Sequence, residues 1–162
     1  MLVKDVMTVK VKTASPDTSM RDVAIVMCFY HISGLPVVDE NNKILGVISE
    51  KDVLRAMYPK VDYAMRPGRM PLFEDLDAEY HDVLSLPVSS YMTSRVYTVG
   101  PDDPILHAVA VMFAQKIRRI PVALDGKLVG ILSIGDVHKA VLRETFDTEF
   151  GENAAHRAAG DP

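Results

Sequence analysis

The sequence predicts an α+β fold, two pseudo-symmetric β-α-β-β-α units packed sheet to sheet with their helices outside. Three observations lead there. Sliding the chain over itself by about 85 positions aligns nearly every patterned segment in order. Each aligned half alternates helix-period and strand-period hydrophobicity. A half of roughly 55 residues is too small to bury a sheet face alone, which favours two halves packing together.

The repeat begins with Val6-Met7-Thr8 on Tyr91-Met92-Thr93, then Val11-Lys12-Thr13 on Val96-Tyr97-Thr98. These open the halves as short extended pieces, Val9 to Thr13 and Ser94 to Thr98. Pro16-Asp17 and Pro101-Asp102 follow as turns, with Thr18 and Asp103 expected as helix N-caps and Pro104 at the first helical position, where its missing N–H costs nothing. Met20, Val23, Ala24, Val26 and Met27 then recur on one helical face, matched by Ile105, Ala108, Val109, Val111 and Met112. Cys28 lies in the same apolar pattern and is expected as a small buried residue. Strands Leu35 to Val38 and Ile120 to Leu124 return through Asp39-Glu40-Asn41-Asn42 or Asp125-Gly126, the latter a strong hairpin signal. The return strands, Ile44 to Ile48 and Leu128 to Leu132, lead into a second helix.

The organisation is therefore a first repeat at 1–58, a linker at 59–87, a second repeat at 88–145 and a polar tail at 146–162. Within the linker, Phe73 to Leu86 reads as an acidic amphipathic helix. The tail either frays or prolongs a helix.

The chemistry concentrates where the return strand meets the last helix. Gly46-Val47-Ile48-Ser49-Glu50-Lys51-Asp52 occurs again as Gly130-Ile131-Leu132-Ser133-Ile134-Gly135-Asp136. Ser49 and Ser133 sit where an N-cap belongs, and Asp52 and Asp136 lie three residues on, at the same helix mouth. Two such mouths, each with a hydroxyl, a carboxylate and backbone N–H groups, suit a polyhydroxylated, phosphorylated small molecule. The same spacing is also that of a plain capping box, and the duplication is what favours a site.

This order of motifs resembles a tandem CBS-domain pair: an opening "VMT" or "YMT", a central "LPVV" or "IPVA", and a closing Gly-x-x-Ser-x-x-Asp, all twice. The resemblance covers the chain except linker and tail. It implies a regulatory module whose clefts bind adenosyl effectors (AMP, ADP, ATP or S-adenosylmethionine), with no required cofactor, and modules that associate as homodimers. It implies that Asp52 and Asp136 accept hydrogen bonds from ribose hydroxyls, since an ionised carboxylate can take both hydroxyls of a cis diol. Ser49 and Ser133 would touch ribose or phosphate. Pro36, Val47, Ile120, Pro121 and Ile131 would supply apolar walls and backbone groups to the base. Arg118 and Arg119, with Lys116 nearby, would meet phosphate, where the first half offers only His31, Ser33 and Gly34. Whether those arginines share a ligand with Asp136 or with Asp52 is open.

Composition bounds the alternatives. The chain is 48% apolar and 25% charged with net charge −4, a globular balance that speaks against a broad nucleic-acid surface. One cysteine and five scattered histidines leave no metal-ligand spacing. No apolar run approaches the roughly 20 residues of a membrane span, and Met1-Leu2-Val3-Lys4-Asp5 shows no signal-peptide layout, so a cytoplasmic protein is expected. Ser133 lacks the glycine two residues before it that a nucleophile elbow requires, and no phosphate-loop or dinucleotide fingerprint occurs. The expectation is a sensor acting on an effector protein, not an enzyme. A structural dimerisation module with vestigial clefts and a nucleic-acid-binding regulator remain as rivals.

Overall fold

A computed structural model describes residues 1–58 and 83–158, with side chains as far as Phe146. The chain forms two compact units, each assembled from separated stretches. One contains Met1–Val11, Tyr97–Asp125 and Val129–Pro162; the other contains Lys12–Val96 and Gly126–Leu128. For brevity the first is the late unit and the second the early unit.

The early unit is built from helix α1 (Met20–Tyr30), strands β1 (Gly34–Val38) and β2 (Ile44–Ser49), and helix α2 (Glu50–Met57). Strands β1 and β2 are antiparallel, with Gly34 opposite Ser49 and Pro36 opposite Val47, and a bulge between Val37 and Val38. The late unit repeats this with helix α3 (Ile105–Ala114), strands β3 (Arg119–Leu124) and β4 (Lys127–Ser133, whose first two residues fall in the early unit), and helix α4 (Ile134–Ala158). Asp125 and Gly126 both have positive φ, 50° and 77°, the pairing that a two-residue hairpin turn demands.

Each core is the helical face read from the sequence. Met20, Val23, Met27, Leu35, Val37 and Ile48 pack together in the early unit; Ile105, Ala108, Met112, Ile120, Val122 and Leu132 do so in the late one. The early core also takes Val88, and the late core takes Val3, both without exposed surface. Each repeat thus lends its opening residues to the unit that holds the other repeat's sheet. Two short 3-10 turns, Val3–Asp5 and Val88–Ser90, carry these residues.

Four expectations change. The opening pieces, Val9 to Thr13 and Ser94 to Thr98, are not strands: only the flanking Thr8, Ala14, Thr93 and Val99 form isolated bridges. These stretches leave one unit and enter the other. The N-caps shift by one residue: Ser19 caps α1 by accepting from the Asp22 amide, while Thr18 closes a local turn with Ser15. Pro104 is the N-cap of α3, and Asp103 instead accepts from the Gly100 amide. Cys28 is exposed, because it follows Met27 around to the outer side of α1.

The fourth concerns the linker. Phe73 to Asp82 lies outside the described residues, and Val83–Leu86, assigned to the same helix, is a turn. The carbonyls of Leu86 and Leu84 accept from the amides of Met20 and Arg21, both at 2.9 Å. They satisfy donors that the first turn of α1 leaves unpaired, an arrangement incompatible with continuing a helix through them. The tail takes the second of its two expected forms, its backbone prolonging α4 to Ala158.

Candidate functional site

Each unit presents one helix mouth, and the two are built alike. In the early unit β2 ends at Ser49, which caps α2. Its hydroxyl accepts from the Asp52 amide at 3.3 Å, while Asp52 Oδ2 accepts from the Ser49 amide at 2.9 Å and the Ser49 hydroxyl at 2.6 Å. The next amide, Glu50, donates to the Ser33 carbonyl at 3.1 Å. In the late unit Ser133 and Asp136 repeat the arrangement at 3.1, 3.0 and 2.6 Å, and the Ile134 amide donates to the Arg118 carbonyl at 3.0 Å. The capping box is therefore real in both copies.

It consumes only part of each carboxylate. All of these bonds go to Oδ2. Asp52 Oδ1 lies 4.0 Å from an Arg55 guanidinium nitrogen, and Asp136 Oδ1 accepts no hydrogen bond among the described residues. A carboxylate offers about four lone-pair directions, so both mouths keep acceptor capacity for a diol. Asp52 is 16% exposed, half-sunk at the mouth rather than projecting into solvent.

The other expected residues divide by burial. Val47 and Ile131 are half-exposed and two residues before their serines. Pro36, Ile120 and Pro121 are buried, and Ile120 belongs to the late core. The Pro36 and Pro121 carbonyls already accept from the amides of Ala14 and Val99, at 3.0 and 3.2 Å.

The two mouths differ in charge. In the early unit Gly34 stands directly opposite Ser49, and a Cβ added there would lie 3.0 Å from the Ile48 carbonyl oxygen. The repeat places Arg119, half-buried, at the equivalent start of β3, and exposed Arg118 just before it. Lys116 and His31 are also equivalent, both left-handed with φ of 54° and 52°.

Sequence reasoning noticed "VMT" and "YMT" without seeing what they do. Thr8 exchanges two backbone hydrogen bonds with Ile131 (2.9 and 3.0 Å), and Thr93 exchanges two with Val47 (3.0 and 2.9 Å). Met7 and Met92 lie over Gly130 and Gly46, where an added Cβ would come within 2.5 and 2.7 Å of the sulfurs. The signal was the joint recurrence of Met-Thr and glycine, since only a residue without a side chain admits the thioether so close to the strand.

Comparison with known proteins places this architecture. The CBS-domain family model matches residues 3–59 and again 88–143. An uncharacterized protein of Methanocaldococcus jannaschii, MJ1426, is 30% identical over 155 residues, spanning 88% of this chain and 92% of that one. Among solved structures, CBSX2 of Arabidopsis thaliana in complex with AMP is similar with a TM-score of 0.69 and 28% identity, covering 89% of this chain and 98% of that one. The CBS domain pair of MJ0100, in complex with 5'-methylthioadenosine and S-adenosyl-L-methionine, is similar with a TM-score of 0.67 and 25% identity over the same shares. The two matched stretches cover most of the sequence, and the chain belongs to the CBS-domain family as a tandem pair.

Proposed function

We propose that this protein is a regulatory module that binds an adenosyl nucleotide at its Ser-Asp mouths, performs no catalysis of its own and passes the ligand state to an effector protein in the cytoplasm. The observation that carries this reading is the pair of matching mouths whose aspartates each cap through Oδ2, leaving Oδ1 of Asp52 to a long 4.0 Å ion pair with Arg55. The AMP complex of CBSX2 supports an adenosine ligand, and the MJ0100 complex supports S-adenosyl compounds as an alternative of the same chemistry. Asp52 and Asp136 hold ribose hydroxyls, Ser49 and Ser133 sit beside ribose or phosphate, and Val47 and Ile131 flank the base. Arg118 and Arg119 make the late mouth the one suited to phosphate; the early mouth takes a less charged ligand.

A thermal-shift series with AMP, ADP, ATP, S-adenosylmethionine and 5'-methylthioadenosine tests the reading on wild type, Asp52→Asn and Asp136→Asn. Asparagine keeps an acceptor for the cap but removes the ionised pair of oxygens. The expected outcome is stabilisation of wild type by at least one compound, reduced tenfold or more in apparent affinity by one substitution. No shift with any compound leaves the second reading, a dimerisation scaffold, which the completeness of both capping boxes favours.

Association of two copies is part of the proposal. The outer side of α1 exposes Ile25 and Phe29, and that of α3 exposes Leu106 and Phe113, both phenylalanines about two-thirds or more exposed (74% and 68%). Among the described residues no helix is long and apolar enough to cross a membrane. Phe29→Ser or Phe113→Ser is expected to weaken the dimer in analytical ultracentrifugation.

A further inference from the structure

The early mouth differs from the late one by more than a missing arginine. Glu50 is the first residue of α2 and is exposed. Its amide donates to the Ser33 carbonyl at 3.1 Å, which ties the start of the helix to the residue before β1. The repeat ties Ile134 to Arg118 in the same way, at 3.0 Å. One bonded pair of positions thus carries a carboxylate and a hydroxyl in the early unit, but an apolar side chain and a guanidinium in the late one. The next residues along, Gly34 and Arg119, widen the contrast by another charge.

The lack of a cation at Gly34 is built into the packing. An added Cβ would meet the Ile48 carbonyl oxygen at 3.0 Å and the Ser49 Cα at 3.5 Å, so a side chain enters there only if its neighbours give way. The positive end of α2 is also already matched. Glu50 and Asp52 both stand in its first turn, where α4 has Asp136 alone. Acidic groups there offset the attraction that a helix N-terminus holds for an anion. Nearby cations do not restore it at the same place. Arg55 lies further along α2 and pairs with Asp52 Oδ1 at 4.0 Å, and Lys139 repeats its charge in the late unit. Lys51 is exposed and about 100° further round the helix than Glu50.

We propose that the early mouth selects an adenosyl ligand with a positively charged 5' chain, a sulfonium such as that of S-adenosylmethionine, and that Glu50 sets this preference. It rests on the adenosyl-binding function proposed above, and adds the sign of the ligand's charge and the residue responsible. A carboxylate in the same turn as the ribose-holding Asp52 favours a cation on the 5' carbon and disfavours a phosphate there. Exposure of Glu50 keeps the effect to about fivefold in affinity. One chain then reads two adenosyl compounds of opposite charge, a phosphate at the late mouth and a cation at the early one.

Calorimetry of the Asp136→Asn chain, whose late mouth is weakened, reads the early mouth with S-adenosylmethionine, S-adenosylhomocysteine and AMP at low ionic strength. If that chain does not fold, the two-site isotherm of the unsubstituted protein gives the same comparison. S-adenosylmethionine and S-adenosylhomocysteine differ by one methyl group and the sulfonium charge it creates. The sulfonium is expected to bind about fivefold more tightly than either other compound, a preference that shrinks as salt is raised. Glu50→Gln keeps the size of the side chain, removes its charge, and should bring S-adenosylmethionine and S-adenosylhomocysteine level. A merely structural role for Glu50 would weaken both equally and leave their ratio in place, which overturns the proposal. Adenosyl binding without a preference for the cation overturns it alone, whereas absence of binding by all three compounds sinks the functional reading with it.

Discussion

The early and late units are copies of one plan, and their differences fall at the ends of matching elements. Helix α1 begins at a capping serine, whereas α3 begins at Pro104 with no side-chain cap. Strand β1 begins at a glycine pressed against Ile48, whereas β3 begins at an arginine. Helix α2 stops after eight residues, whereas α4 runs for 25. The cores, by contrast, match nearly residue for residue, with Met27 answered by Met112 and Leu35 by Ile120. A duplicated fold holds its interior fixed because each buried side chain is packed from every side, while strand ends are free to acquire different charges.

The largest expected effect breaks the likeness altogether. Cutting the chain into its sequence repeats, 1–58 and 88–158, removes Val88 from one core and Val3 from the other. Neither fragment is expected to give a cooperative unfolding transition by circular dichroism, and mixing them should restore one. Next come the matched methionines. Met27→Ala and Met112→Ala should each cost about 2–5 kcal/mol in denaturant unfolding, and unequal costs would show unequal packing of the two cores.

Smaller effects sharpen the contrast. Arg119→Gly gives β3 the residue that β1 has, and should lower AMP affinity at the late mouth about tenfold while leaving 5'-methylthioadenosine binding within about twofold, measured by calorimetry; a hydrogen bond to a charged group is worth about 1.5–3 kcal/mol. Ser19→Ala should cost about 1 kcal/mol through the α1 cap, a loss α3 cannot show. The smallest concerns Lys4 and Asp102, an exposed pair at 2.7 Å in the late unit. Its hydrogen bond to Asp102, and then that residue's charge, raise the Lys4 pKa above 10.5. A raised folded pKa gives a stabilising contribution present below the unfolded value and lost as pH climbs through the folded one. Lys4→Met should therefore leave the melting temperature nearly unchanged at neutral pH and remove what dependence the pair adds above pH 10.5.

Much of this was legible in the residues. The buried faces of α1 and α3, the Asp125-Gly126 turn and both Ser-Asp mouths follow from spacing alone, because each depends on residues close in sequence. The exchange of opening segments does not. Nothing local distinguishes a Val3 that packs on its own repeat from one that packs on the other, and the threonines pair with strands far along the chain. Cys28 was misplaced for a simpler reason: α1 is apolar over more than its buried face, so hydrophobicity did not mark the boundary. The burial of Pro36 and Pro121 likewise depends on the strands behind them.

The placement of Val3 has a consequence for how the molecule is made. The first eleven residues leave the ribosome long before β3 and β4, the strands they will join, have been synthesised. Throughout that interval a valine destined for the interior and a threonine destined for a strand edge have no native partner. The early unit also takes in Gly126–Leu128, so both units wait on the second repeat, and residues 1–11 can join β4 only once Ile131 has emerged.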